Sequence, residues 1–219
     1  MKPLIKVMLI LAVIFASTFI LGRVLGILTV ENVKSWLEAA QNVDPIWVIT
    51  TVIALLFLDL FVAVPTLTIT ILAGFFLGFP LGFAAAFFGM TSAAFSGYAI
   101  SLRWGEKAIS FLVKDQNERI NLINAFAKSG PAMIMLSRAL PILPEVTACM
   151  AGATRMSIAK YALFFAIGTV PYVGIAAYAG SISSPESPQP AIFAALGLYL
   201  VLWIGWYLFK RKTAVKQLA

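Results

Sequence analysis

Residues 133–152 read MIMLSRALPILPEVTACMAG, and this stretch decides the fold. It is mostly apolar, and its most unusual residues are Arg138, Pro141, Pro144, Glu145 and Gly152. Proline removes a backbone donor and breaks a helix, so a single regular membrane-spanning helix is not expected here. Within a bilayer, broken backbone persists only where protein or a water-filled cavity surrounds it. The stretch therefore predicts a re-entrant hairpin that carries a functional charge at membrane depth.

The composition indicates an integral membrane protein. Of 219 residues, 61% are hydrophobic and 11% are charged, whereas an average soluble domain is about half apolar and about a quarter charged. The length suits one membrane domain. The formal net charge is +7, and the positive residues lie at the ends of apolar segments. This pattern is typical of membrane topology and contact with anionic lipids, and not of nucleic-acid binding.

Histidine is absent, and Cys149 is the single cysteine. These counts exclude histidine acid–base catalysis, a Cys/His zinc site and an intramolecular disulfide. We also find no pairing of a nucleophile with a base. The sequence therefore predicts no enzymatic activity, no bound metal and no cofactor, although coupling to protons stays open.

The first 45 residues predict an anchor followed by a surface helix. The apolar run at 4–22 is long enough to span a membrane. A cleaved signal peptide is the alternative, because a charged start and an apolar centre fit both. Residues 29–42 place apolar side chains at helical spacing, which indicates an amphipathic helix along the interface. Asp44 and Pro45 then suit the cap and first position of the next helix.

Residues 46–182 form the predicted core. The apolar run at 46–79 is too long for one span and too short for two, so we expect a hairpin that breaks near Pro65 and returns to the same side. The further predicted elements are a span at 81–102, a cytoplasmic amphipathic segment at 103–129, a second hairpin at 131–153 and a span at 158–181. Residues 183–219 predict a proline-rich turn, a transmembrane helix at 191–209 and a basic tail.

Positive charge predicts the orientation of these segments. Lys2, the segment 103–128 and the tail at 210–216 fall on one side, while the acidic or neutral loops around Glu31 and Glu186 fall on the other. Basic loops face the cytoplasm. Both termini are therefore expected in the cytoplasm, and the two hairpins are expected to enter from opposite faces.

The two halves of the core resemble each other. Each contains a proline-broken hairpin, an Ala-Gly pair and a glycine-containing span, and the halves are expected to point in opposite directions. Inverted repeats with broken helices are a recurring transporter design. Small residues let helices approach closely, and the glycines assigned a structural role are Gly74, Gly78, Gly97, Gly152 and Gly168.

Three charged residues interrupt the apolar core: Asp59, Arg138 and Glu145. A charge at the bilayer centre costs about 2.5 to 3.5 kcal/mol on insertion scales, so each needs a partner or water. We predict that the hairpin tips meet and that Asp59 faces Arg138. A guanidinium suits a phosphate group, and a buried carboxyl can carry a proton. A purely structural ion pair between the hairpins is the alternative.

With these motifs the sequence resembles the DedA-like, VTT-domain (SNARE-associated Golgi) membrane proteins over residues 58–181. SRALPILP at 137–144, followed by AGATRMS at 151–157 and YALFFAIGTVP at 161–171, is similar to the family's R-x-x-P-x-x-P, Ala-Gly and following-span signature. VPTLTITILAGFFLG at 64–78 is also similar.

The resemblance implies that Arg138 is the family's functional arginine and Asp59 its hairpin acid. Pro144 stands where the DedA branch proper has a second arginine, so the chain resembles the R-x-x-P-x-x-P branch. Glu145 is a departure, because that position is usually apolar or aromatic. The family implies lipid scrambling, translocation of a polyprenyl-phosphate carrier, or proton-coupled transport. Short loops and the absence of extra domains resemble bacterial members, which implies the inner membrane.

We therefore predict a multi-pass, all-α transporter or scramblase that moves an anionic amphiphile such as a phospholipid. Its partners are expected to be membrane lipids with anionic head groups. The alternatives are a transporter of a small anion or metal species, and a non-transporting membrane assembly factor. The residues predicted to bind or translocate substrate are Arg138, Asp59, Glu145, Pro141, Pro144 and Pro65.

Overall fold

A computed structural model describes residues 4–13, 17, 35, 44–62, 64–140, 142–184 and 187–218, excluding the side chains of 209, 210 and 212–218. The described residues form helices and connecting turns, without strands, which confirms the all-α membrane class. The helices are α1 (Leu4–Val13), α2 (Pro45–Leu58), α3 (Thr66–Leu112), α4 (Gln116–Met135), α5 (Leu143–Ala153), α6 (Ile158–Ser181) and α7 (Gln189–Leu218), with a 3₁₀ turn at Ser137–Ala139. Most of the predicted anchor at 4–22 and surface helix at 29–42 lies outside the described residues.

Local chemistry sets several helix boundaries. The side chain of Asp44 accepts a 2.9 Å hydrogen bond from the backbone N–H of Ile46, and Pro45 occupies the first turn of α2. Asp115 caps α4 in the same way, by accepting a 2.7 Å hydrogen bond from the N–H of Asn117. Such caps satisfy donors that have no partner within the helix. The predicted start of α2 is confirmed.

Gly78 divides α3 into two arms. Its φ of 74° lies in the left-handed region, which glycine adopts without the steric cost that a Cβ imposes. The arm before Gly78 completes the first hairpin region with α2, and the arm after it is the long span. That helical arm continues to Leu112, so the charged residues from Arg103 onward lie within the same helix and do not mark its end.

Three described helices are long and apolar enough to cross a membrane: Thr66–Leu112, Ile158–Ser181 and the part of α7 at Gln189–Leu208. By contrast, α2 has 14 residues and α5 has 11. At 1.5 Å per residue these helices measure about 21 Å and about 17 Å, less than the hydrocarbon thickness of about 30 Å. Such lengths suit hairpin arms, and the re-entrant course of the two hairpins stays a prediction.

Packing against glycines follows the same pattern in both halves. Gly89 in α3 lies against Ile53 in α2, and Gly168 in α6 lies against Met135 in α4. The first contact joins α3 to α2 in one half of the core, and the second joins α6 to α4 in the other half. A Cβ at either glycine would meet backbone atoms, so only glycine permits these approaches.

Contacts between the halves are reciprocal. Gly74, in the short arm of α3, lies against the backbone of Ala177 in α6. Gly152, in the short helix α5, lies against the backbone of Tyr98 in the long arm of α3. Each half therefore places a short helical segment on the long helix of the other half. The breaks after α2 and after α4 also lie close together, because Asp59 and Arg138 line one cavity.

Candidate functional site

Asp59 is the first residue after α2, where the apolar chain breaks. The carboxylate oxygen Oδ1 accepts a 2.8 Å hydrogen bond from the backbone N–H of Val64. This bond closes the turn between α2 and Pro65, whose nitrogen has no proton to donate. The side chain is buried. Asp59 thus stabilises the break between α2 and Pro65.

Arg138 lies in the 3₁₀ turn that follows α4. It is 8% exposed, and its guanidinium carbon lies 5.9 Å from the ring centre of Phe165 and 5.7 Å from that of Tyr172. Within the described part of the chain, its Nε is buried without a hydrogen-bond partner. Aromatic faces attract the cation without consuming its N–H donors. The guanidinium is therefore supported by α6 while at least one donor stays unsatisfied.

Glu145 lies in the first turn of α5 and is 7% exposed. Its carboxyl group lies within hydrogen-bonding reach of the Asp59 carboxyl. Oε2 is buried with no hydrogen-bond partner among the described residues. The amino end of a helix favours a carboxylate, and Pro144 beside it removes one N–H donor that would otherwise need a partner. Local structure therefore accommodates Glu145 at this unusual depth.

The three charged residues line one cavity of about 220 Å³. Pro65 and Pro144 also line it, and so do Tyr172 from α6 and Tyr199 from α7. An adjoining space of about 20 Å³ is lined by the same three charged residues and by Tyr161. That space is large enough for about one water molecule. The structure thus brings together five of the predicted site residues, while Pro141 lies outside the described residues.

The arrangement differs in one respect from the prediction that Asp59 faces Arg138. The two side chains share the cavity, yet no direct ion pair joins them within the described residues. Glu145 is instead the immediate neighbour of Asp59. The site therefore consists of a carboxyl pair beside a separately supported guanidinium.

Sequence reasoning missed the aromatic residues of the site. Phe165 and Tyr172 are ordinary residues for a membrane span, and nothing in their spacing marks them as partners of Arg138. The sequence did not identify Tyr199 either, because α7 has no repeat counterpart that would place it at the cavity. Among the residues that the structure describes, no cluster of three His, Cys, Asp or Glu side chains could hold a metal ion.

Comparison with known families gives a match over most of this region. The family described as the VTT domain matches residues 64–182, more than half of the chain. The chain belongs to the VTT-domain family. Its members, which include the DedA proteins, are membrane proteins of a general transporter type. Neither the curated proteins nor the solved structures include a match to the chain.

The ends of the matched VTT region place some residues of the site inside the match and one outside it. It begins at Val64, directly before Pro65, and ends just beyond α6. Arg138, Pro144 and Glu145 lie inside it, whereas Asp59 lies outside it. The position of Asp59 at the site therefore rests on the geometry of this chain: its bond to Val64 and its proximity to Glu145.

Proposed function

We propose that this VTT-domain protein moves a lipid with an anionic phosphate head group, such as a phospholipid or a polyprenyl phosphate, across a bacterial inner membrane. In this proposal it acts as a transporter or scramblase and not as an enzyme, and it uses no cofactor other than protons. The observation that carries the proposal is the buried, incompletely satisfied Arg138 beside two carboxyl groups in one cavity.

Arg138 is proposed to bind the phosphate. A guanidinium presents planar N–H donors that match two phosphate oxygens at once. Phe165 and Tyr172 hold the cation from α6, so that its orientation does not depend on a carboxylate partner. The unsatisfied Nε is a donor that an incoming anion would satisfy. Burial makes such a charge-assisted bond stronger than it would be in water.

Asp59 and Glu145 are proposed to couple this binding to protons. With both carboxyls ionised, the cavity has two negative charges and one positive charge, and it repels an anion. One proton on the pair makes the site neutral, and a second leaves the positive charge of Arg138 uncompensated. Because charge interactions are strong in a low-dielectric interior, the state of the pair would control whether phosphate binds. This is the basis for proton coupling or gating.

The cavity also fits a small anion. Its volume of about 220 Å³ lies below the range of about 300 to 1,000 Å³ that holds most drug-sized ligands. A phosphate head group with its chains outside would fit, and so would a free anion. Transport of a small anion is therefore the second candidate, and the experiment must separate the two.

The distribution of basic residues is the basis for the proposed orientation of the protein in the membrane. The termini and the segment joining α3 to α4 are proposed to face the cytoplasm, because their basic residues would then obey the positive-inside rule. Arg155 supports this arrangement: it is exposed near the end of α5 and forms a 2.9 Å ion pair with Glu106, which is also exposed. Such an exposed pair suits a water-facing surface.

The test is transport by the purified protein in liposomes. Parallel assays follow the flipping of a fluorescent phospholipid, the flipping of a labelled polyprenyl phosphate and the uptake of inorganic phosphate. We expect at least one lipid to flip faster than in protein-free liposomes, and more so when a proton gradient is imposed. Phosphate uptake without lipid flipping would favour the second candidate, and no transport in any assay would contradict both.

A further inference from the structure

A second cavity lies beside the charged one, and its lining is almost entirely apolar. This groove has a volume of about 300 Å³ and is formed by side chains from α1, α4, α5 and α7 and from the turn before α5. The side chains of the groove used below are Met8, Met133, Leu143, Val146 and Trp206. No charged group lines it among the described residues.

Leu140 and Ile142 line both the charged cavity and the apolar groove. They belong to the turn that joins Arg138 to α5. Ile142 has a φ of 73°, a left-handed conformation that is unfavourable for a β-branched residue. Leu140 and Ile142 thus form part of the wall that the two spaces share.

We propose that the groove holds one hydrocarbon chain of the transported lipid while its phosphate lies at Arg138. The inference rests on the proposed function and assigns a binding site to the hydrocarbon chain of its lipid. A charged cavity beside an apolar groove matches the two parts of one lipid molecule. A small inorganic anion would use the cavity and leave the groove without a role.

The groove acts through shape and position. Lipid tails are as apolar as leucine side chains, so transfer of a chain from bilayer to groove gains little from the hydrophobic effect. Holding the chain beside the head group instead lowers the orientational cost of placing the phosphate at Arg138. Met8 and Met133 suit this role, because methionine is flexible and adapts to irregular chains.

Photo-crosslinking tests the proposal directly. The protein is reconstituted with phosphatidylglycerol that carries a diazirine at the end of one acyl chain, and labelled peptides are identified by mass spectrometry. We expect insertion near Met133 and Leu143 to exceed, several-fold, insertion at Leu163, an exposed α6 residue outside the groove. Unlabelled phosphatidylglycerol should reduce this labelling, whereas diacylglycerol, which has no phosphate, should not.

A variant supplies a second measurement. Met133→Trp should fill the groove and slow lipid flipping about tenfold, whereas Leu163→Trp should leave it unchanged. The groove proposal would be overturned if diacylglycerol and phosphatidylglycerol reduced the labelling equally. It would also be overturned if Met133→Trp flipped lipid at the wild-type rate. If Arg138→Ala still stops flipping in that case, the proposed function survives. If the wild-type protein flips no lipid, the proposed function itself fails.

Discussion

The carboxyl groups of Asp59 and Glu145 lie within hydrogen-bonding reach of each other, although one follows α2 and the other begins α5. A carboxylate is only an acceptor, so a hydrogen bond between the two requires a proton on one of them. Arg138 lines the same cavity. The two halves of the chain thus place one guanidinium and two carboxyl groups around one buried space.

Neutral variants of Asp59 and Glu145 remove the ability to carry a proton while keeping the structural contacts of the two side chains. Asp59→Asn keeps the oxygen that accepts from Val64, and Glu145→Gln keeps the size of its side chain. We expect both to fold and to lower proton-driven transport by about tenfold or more, which is about 1.4 kcal/mol or more. Liposome assays with and without a proton gradient measure this effect.

Asp59→Ala is the matched structural comparison. It removes the acceptor for the buried Val64 N–H, which costs about 1 to 3 kcal/mol, so this variant should also lower thermal stability in detergent. Wild-type transport by both Asp59→Asn and Glu145→Gln would exclude the carboxyl pair from coupling.

The aromatic support of Arg138 gives a second prediction. Tyr172→Leu removes a ring face from the guanidinium, and cation–π contacts of this kind contribute about 0.5 to 2 kcal/mol. We expect lipid flipping to fall several-fold. Tyr172→Phe keeps the ring, so its rate of lipid flipping should fall much less. Equal rates for the Leu and Phe variants would show that the ring face contributes nothing to the site.

The reciprocal glycine contacts predict a third result, on stability. Gly74→Ala and Gly152→Ala place a methyl group into the backbone of the other half, and such overpacking costs about 1 to 3 kcal/mol. Gly197→Ala is the control, because its Cβ would meet no atom within 4 Å. Thermal unfolding in detergent should show a lower midpoint for the first two variants only. Unchanged midpoints would contradict the close packing of the halves.

The sequence singled out the charged residues of this cavity because charges stand out in an apolar background. Asp59, Arg138 and Glu145 could be selected from their energetic cost alone, and Pro65 and Pro144 marked the breaks. Their partners could not be selected in this way. Phe165 and Tyr172 are unremarkable in a span, and the proximity of Asp59 to Glu145 depends on how two distant segments pack.

Some helix boundaries could be predicted from the sequence and others could not. Asp44 and Pro45 predicted the start of α2 because capping is a local property. The end of α3 at Leu112 was harder to predict, since the charged residues from Arg103 onward suggested a separate segment. A helix continues through a change from lipid to water when its backbone bonds are satisfied. The change in polarity therefore did not predict where the helix ends.

Cysteine labelling tests the re-entrant course of the hairpins. In a Cys149→Ala background, cysteines at Phe79 and Ser187 should react with a membrane-impermeant reagent added outside. Cysteines at Asn117 and Thr154 should react only from the cytoplasmic side. These results follow if each hairpin returns to the face by which it entered. Labelling of Phe79 from the cytoplasmic side would rule out the first hairpin.

One comparison tests the central claim most directly: lipid flipping in liposomes by Arg138→Ala and by Arg155→Ala. Both variants lose one arginine, but Arg138 is buried at the cavity, whereas Arg155 is exposed and paired with Glu106. We predict that Arg138→Ala abolishes flipping at normal expression, while Arg155→Ala flips lipid at the wild-type rate. Equal flipping by the two variants would contradict a transport site at Arg138.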